Sequence, residues 1–115
     1  MLFLEYPPCS TCKKAKQYLL DRGIHFESRH IKEQNPGYEE LKTWYARSGL
    51  PLKRFFNTSG QLYQSLHLKD RLPGMSEEEQ LRLLASDGML VKRPLVVTDE
   101  VVLTGFRPTE YDEKL

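Results

Sequence analysis

The sequence predicts an α/β protein, a mixed four-stranded sheet with helices on its faces, folded as a single domain over residues 1–115. Three observations lead there. The apolar run Leu2-Phe3-Leu4 is followed by a helical pattern and then by a second run from Ile24 to Ile31, which makes a β-α-β start with parallel strands. Two runs near the other end, Pro94-Leu95-Val96-Val97-Thr98 and Val101-Val102-Leu103-Thr104, are separated only by Asp99-Glu100 and must pair antiparallel. Between these halves the chain is punctuated by helix caps and turn residues.

Taken in order, Pro7-Pro8 stop the first strand and Cys9-Ser10-Thr11-Cys12 opens the first helix. Cys12, Ala15 and Leu19 repeat there at helical spacing, and Gly23 closes a helix over about Ser10 to Arg22. Asn35-Pro36 reads as an N-cap with proline at the first helical position; Leu41, Trp44 and Tyr45 form that helix's apolar face before Gly49. Leu50-Pro51 starts a short helical piece, Phe55-Phe56 runs into the turn residues Asn57-Thr58-Ser59-Gly60, and Leu62, Tyr63 and Leu66 add further helical turns. Ser76-Glu77-Glu78-Glu79 is a capping box ahead of Leu81, Leu83 and Leu84, closed by Asp87-Gly88. Asp99-Glu100 is not a favoured two-residue turn, so the hairpin's loop type stays open. Arg107-Pro108 opens a last short helix to Leu115. This order is the thioredoxin-like arrangement.

A chain of 115 residues buries about two-thirds of its unfolded surface and needs no staples to fold. With 17 basic against 16 acidic residues the formal charge is +1, too small for the field that would draw nucleic acid or a membrane surface as main partner. The apolar runs fall far short of the ~20 residues of a membrane span, and MLFLEYPP lacks the basic and apolar regions of a secretion signal. Both cysteines lie within four residues, which suits a redox pair in a reducing compartment. A cytoplasmic protein is expected, with no direct nucleic-acid binding and no membrane association.

At a helix start, unpaired backbone N–H groups and the positive end of the macrodipole favour a thiolate over a thiol. A free cysteine near ~8.5 falls to about 7 or lower in such settings, so Cys9 is expected to be partly thiolate. The plainer reading makes the cysteines two core residues or half a zinc site. His25, His30 and His67 offer no spacing that completes such a site, and no metal is expected. Lys13, Lys14 and Lys16 read as a solvated helix face.

Three segments carry a resemblance: Tyr6-Pro7-Pro8-Cys9-Ser10-Thr11-Cys12-Lys13-Lys14-Ala15, Phe55-Phe56-Asn57-Thr58-Ser59-Gly60, and Val91-Lys92-Arg93-Pro94-Leu95-Val96-Val97 with Gly105-Phe106-Arg107-Pro108. Together they resemble the ArsC/Spx family over essentially the whole chain. The resemblance implies a thioredoxin-like (glutaredoxin-like) fold with a helical insertion, in a family that holds glutaredoxin-dependent arsenate reductases and Spx-type regulators that bind RNA polymerase. The resemblance implies that Cys9 is the nucleophile and Cys12 the resolving thiol, a Cys-x-x-Cys of Spx type where the reductases carry a serine. It implies anion binding by Ser10 and Thr11 at the helix start and by Arg93 and Arg107. The reductases' third arginine falls at about Asn57, with Arg54 as the candidate substitute. A cis Arg93–Pro94 bond beside the site is implied as well.

The function implied is that of a thiol–disulfide redox protein, an arsenate reductase-like thiol oxidoreductase acting on a small oxyanion or a disulfide. No bound cofactor is expected, and glutathione, glutaredoxin or thioredoxin is the candidate electron donor. The alternative is an Spx-type redox-sensing transcription regulator with RNA polymerase as partner.

Overall fold

Alternation along the strands decides which side of the sheet each helix covers. The computed structural model describes residues 1–115, with strands β1 (Leu2–Glu5), β2 (Glu27–His30), β3 (Leu95–Val97) and β4 (Val102–Thr104) in the order β2-β1-β3-β4. β1 runs parallel to β2 and antiparallel to β3, and β3 and β4 form the antiparallel hairpin. Phe3, Val96 and Leu103 stand in one register row and point to one face, where they meet Ala15 and Leu19 of helix α1 (Ser10–Asp21) and Tyr111 of helix α6 (Pro108–Lys114). Leu4, Leu95, Val97 and Val102 point to the other face, into a larger core with helices α2 (Tyr38–Ser48) and α5 (Glu77–Ser86). This is the thioredoxin-like, mixed four-stranded arrangement that the sequence predicts.

The helical insertion between α2 and α5 holds a 3-10 turn at Leu52–Phe55, short helices α3 (Gln61–Ser65) and α4 (Leu68–Arg71), and a second 3-10 turn at Leu72–Gly74. Phe55, Phe56, Tyr63 and Leu68 anchor it in the larger core. The capping box of α5 forms as read: Ser76 Oγ accepts the Glu79 N–H at 3.1 Å, and Glu79 Oε1 accepts the Ser76 N–H at 3.0 Å.

Three local readings change, and the hairpin loop, left open by the sequence, takes a definite form. The second strand is shorter than Ile24–Ile31, because Gly23 (φ 67°) and Ile24 stay bonded to the end of α1, and pairing starts only where the Glu27 N–H meets Met1 O at 2.9 Å. Asn35 does not cap α2; its Nδ2 donates to Ala85 O at 2.8 Å, and Gly37 takes the cap with Glu40 Oε1 accepting its N–H at 3.0 Å. The hairpin loop works without a favoured dipeptide because Thr98 closes it, its Oγ1 accepting the N–H groups of Glu100 at 3.1 Å and Val101 at 2.9 Å. Lys16 is not merely solvated: its Nζ reaches Glu5 Oε2 at 3.0 Å, and Ser28 Oγ donates to the same oxygen at 2.9 Å.

Gly88 fixes how closely the segment before β3 approaches β2. A Cβ there would lie 1.8 Å from Ile31 O, so only glycine fits.

Candidate active site

The exit of β1 places the thiols. After Glu5 the chain turns through Pro7-Pro8, and the Cys9 N–H bonds back to Tyr6 O at 2.9 Å. Cys9 then takes the extended N-cap conformation (φ −75°, ψ 121°) that a side chain needs to reach back over the first turn of α1. Its sulfur accepts the Cys12 backbone N–H at 3.4 Å, so the cap atom is sulfur instead of the usual hydroxyl or carboxylate oxygen. Cys9 is half-buried and Cys12 fully buried, and both are free thiols.

The two sulfurs are pushed apart in acidity. Burial opposes ionisation of Cys9, but hydrogen bonds from the Cys12 thiol and backbone, with the facing Arg93 guanidinium, together outweigh it and hold Cys9 below the ordinary thiol value. Burial pushes Cys12 up to about 12, with the neighbouring Cys9 sulfur adding to the rise. The surroundings thus favour the thiolate at Cys9 and the thiol at Cys12.

Arg93 stands two residues before β3, its bond to Pro94 is cis, and Pro94 O accepts the Gly105 N–H at 2.8 Å. The guanidinium carbon lies 4.9 Å from the Tyr6 ring centroid, and Nη1 is buried with no hydrogen-bond partner. Arg93 also lines a cleft of about 400 Å³ shared with Lys32, Asn57, Gln61 and Asp87. Asp87 turns one oxygen to the Met89 N–H at 2.8 Å. Gly60 covers the Asn57 amide, whose Nδ2 would sit 2.6 Å from any added Cβ.

The other expected anion ligands are distributed unequally. Ser10 and Thr11 are exposed at the first turn of α1, and their N–H groups have no backbone acceptor. Arg107 is exposed at the N-cap of α6, and the arginine whose charge acts on Cys9 is Arg93. Arg54, in the 3-10 turn, is not among the residues that line the cleft at Arg93. No three or more His, Cys, Asp or Glu side chains gather as a metal site, and no helix is long and apolar enough to cross a membrane. Sequence reasoning gave no role to Tyr6 or Lys32; the aromatic residue just ahead of the Pro-Pro-Cys turn was the available signal for Tyr6.

The model of the ArsC family matches residues 4–114. The chain belongs to the ArsC family. Among relatives, the uncharacterized protein YusI of Bacillus subtilis is 53% identical over 98% of this chain and 96% of its own. The regulatory protein MgsR of Bacillus subtilis is 30% identical over 96% of this chain and 86% of its own. Among solved structures, an ArsC family related protein from Bacteroides fragilis superposes with a TM-score of 0.95 at 56% identity, covering 97% of this chain and 94% of that one. A possible arsenate reductase from Streptococcus mutans superposes with a TM-score of 0.91 at 45% identity, covering 99% and 97%. The ArsC-family fold thus accounts for the mixed sheet and its helices together.

Proposed function

We propose that this ArsC-family protein is a thiol–disulfide oxidoreductase in which Cys9 is the nucleophile and Cys12 the resolving thiol. The observation that carries the reading is the placement of two sulfurs three residues apart: Cys9 caps α1 with its sulfur 3.4 Å from the Cys12 N–H, and Cys12 is fully buried, a setting that lowers Cys9 and pushes Cys12 up to about 12. In the first step the Cys9 thiolate attacks one sulfur of a disulfide; a mixed disulfide forms, the substrate's S–S bond breaks, and the departing thiolate takes a proton from solvent. In the second, Cys12 gives up its proton and attacks the Cys9 sulfur, releasing the other half of the substrate as a thiol. The pair is oxidised by two electrons and the substrate reduced to two thiols. An external thiol of the glutathione, glutaredoxin or thioredoxin class resets the pair.

Arsenate is the less favoured electrophile. Arg93 acts on the Cys9 sulfur and the N–H groups of Ser10 and Thr11 have no backbone acceptor, which supports some anion binding, but the further arginine that the resemblance to the reductases implies falls at about Asn57. Missing one charged donor costs on the order of 1.5–3 kcal/mol, a loss of ten-fold or more in oxyanion binding or turnover. Reduction of a small aliphatic disulfide and of arsenate, measured side by side with glutathione and glutaredoxin, tests this reading. Disulfide turnover lost in Cys9→Ser, with mixed disulfides trapped in Cys12→Ser, is the expected result; turnover that survives Cys9→Ser overturns it.

The similarity to a regulatory protein favours a second reading, in which the same disulfide switches affinity for RNA polymerase. Its expected result is retention of purified RNA polymerase by one redox state of the protein and not by the other; equal retention, or none, removes it.

A further inference from the structure

Arg93 has no obvious holder. It takes part in none of the ion pairs of the fold, and its Nη1 is buried without a partner. A long side chain with a free guanidinium loses rotamer entropy when held in one place, so something must fix it for its charge to act on one sulfur. The group in position is the ring of Tyr6, whose centroid lies 4.9 Å from the guanidinium carbon, inside the range of a cation–π contact.

The ring is itself held. His30 meets it edge-on, with centroids 5.9 Å apart and planes at 85°. The His30 imidazole is locked in turn, because its Nδ1 accepts the backbone N–H groups of Lys32 and Glu33, both at 3.2 Å. Tyr6 is also tied through its backbone, its carbonyl accepting the Cys9 N–H at 2.9 Å. One residue at the end of β1 therefore sets both the turn that delivers Cys9 and the surface on which Arg93 rests.

We propose that Tyr6 is a positioning residue that holds Arg93 toward the Cys9 sulfur by the face of its ring. A carboxylate could orient the arginine equally well, but it would cancel the charge that the thiolate needs. An aromatic face orients a cation and leaves its charge intact. The ring carries this role, not the hydroxyl. The proposal rests on the reading of Cys9 as a nucleophile assisted by Arg93, and the experiment separates the two.

The measurement is the pH profile of Cys9 alkylation by iodoacetamide, followed by mass spectrometry on the full chain, in wild type, Tyr6→Phe, Tyr6→Leu, Arg93→Ala and Tyr6→Leu/Arg93→Ala. Pentafluorophenylalanine at position 6 gives a further variant that keeps the ring's shape and reverses its quadrupole, so the test does not depend on how the leucine variant folds. Tyr6→Leu and the fluorinated ring are expected to shift the profile to higher pH and to slow alkylation at mildly acidic pH about three- to ten-fold, the size of a partly desolvated cation–π contact. Tyr6→Phe is expected to keep the wild-type profile, and Tyr6→Leu to add nothing once Arg93 is alanine. A Tyr6→Leu shift that persists without Arg93, or a fluorinated ring that behaves as wild type, overturns the positioning role and leaves the nucleophile assignment standing. An Arg93→Ala profile identical to wild type overturns Arg93's part in the proposed function, and with it the role of Tyr6.

Discussion

The backbone N–H of Cys12 points at the sulfur of Cys9 from 3.4 Å, so the residue that would resolve the mixed disulfide also caps the thiolate that starts it. The arrangement makes the two thiols unequal before any substrate arrives. An unperturbed cysteine is only about 0.3% thiolate at a pH near 6. Iodoacetamide at that pH is expected to label Cys9 at least about ten-fold faster than Cys12, because alkylation follows the thiolate fraction and its exposure. Peptide mapping after a short pulse checks this, and equal labelling would contradict the assignment.

Asn57 shares the cleft at Arg93, where a longer cationic side chain would reach the same space. Asn57→Arg is expected to raise arsenate turnover by ten-fold or more if the absent donor is what limits oxyanion binding. Steady-state arsenate reduction in wild type, Asn57→Arg and Asn57→Lys provides the comparison. The lysine variant should gain less, since it cannot donate in bidentate fashion.

Alkali should weaken the fold through Cys12. Its folded value, about 12, lies above the ordinary thiol value of 9.0, so between the two the unfolded chain has lost a proton that the native protein keeps. The contribution to stability is complete below about 9 and declines as pH rises toward 12, at up to about 1.4 kcal/mol per pH unit for one group. Buried Tyr111, also raised, adds loss in the same direction at still higher pH, whereas Cys9, lowered, acts with the opposite sign. Urea unfolding at pH values from 8 to about 10.5, compared between wild type and Cys12→Ala, is expected to show a shallower alkaline decline in the variant.

Gly88→Ala should be among the most damaging single substitutions. Its Cβ would meet backbone, Ile31 O at 1.8 Å and Ile31 C at 2.8 Å, neither of which can swing aside like a side chain. A loss of about 3 kcal/mol or more is expected, seen as a fall in Tm on the order of 10 °C. Ala85→Gly, a few residues away in α5, should cost only about 1 kcal/mol.

The sheet, its strand directions and α5 were legible because each rests on local signals: two short β-branched runs too close to pair any other way, and a capping box that forms atom for atom. Asn35 misled because a good cap residue was recruited by a distant carbonyl, Ala85 O, which no window around residue 35 contains. The site divides in the same way. Cys9 at the helix start follows from its immediate neighbours, but the Arg93–Tyr6 contact joins residues 87 positions apart, and the exposed setting of Arg107 depends on how α6 packs. Charge and aromatic residues can be read singly from a sequence; their pairing is a property of the sheet.

The central position of β1 has a consequence for the timing of reactivity in a growing chain. Its partners lie at residues 27–30 and 95–97, and the arginine facing Cys9 stands two residues before the latter. During synthesis from the N-terminus, at roughly 5–20 residues per second, both thiols leave the ribosome seconds before Arg93 exists. Through that interval Cys9 lacks its arginine, and the complete electrostatic setting of the thiol arises only when the last third of the chain joins the first strand.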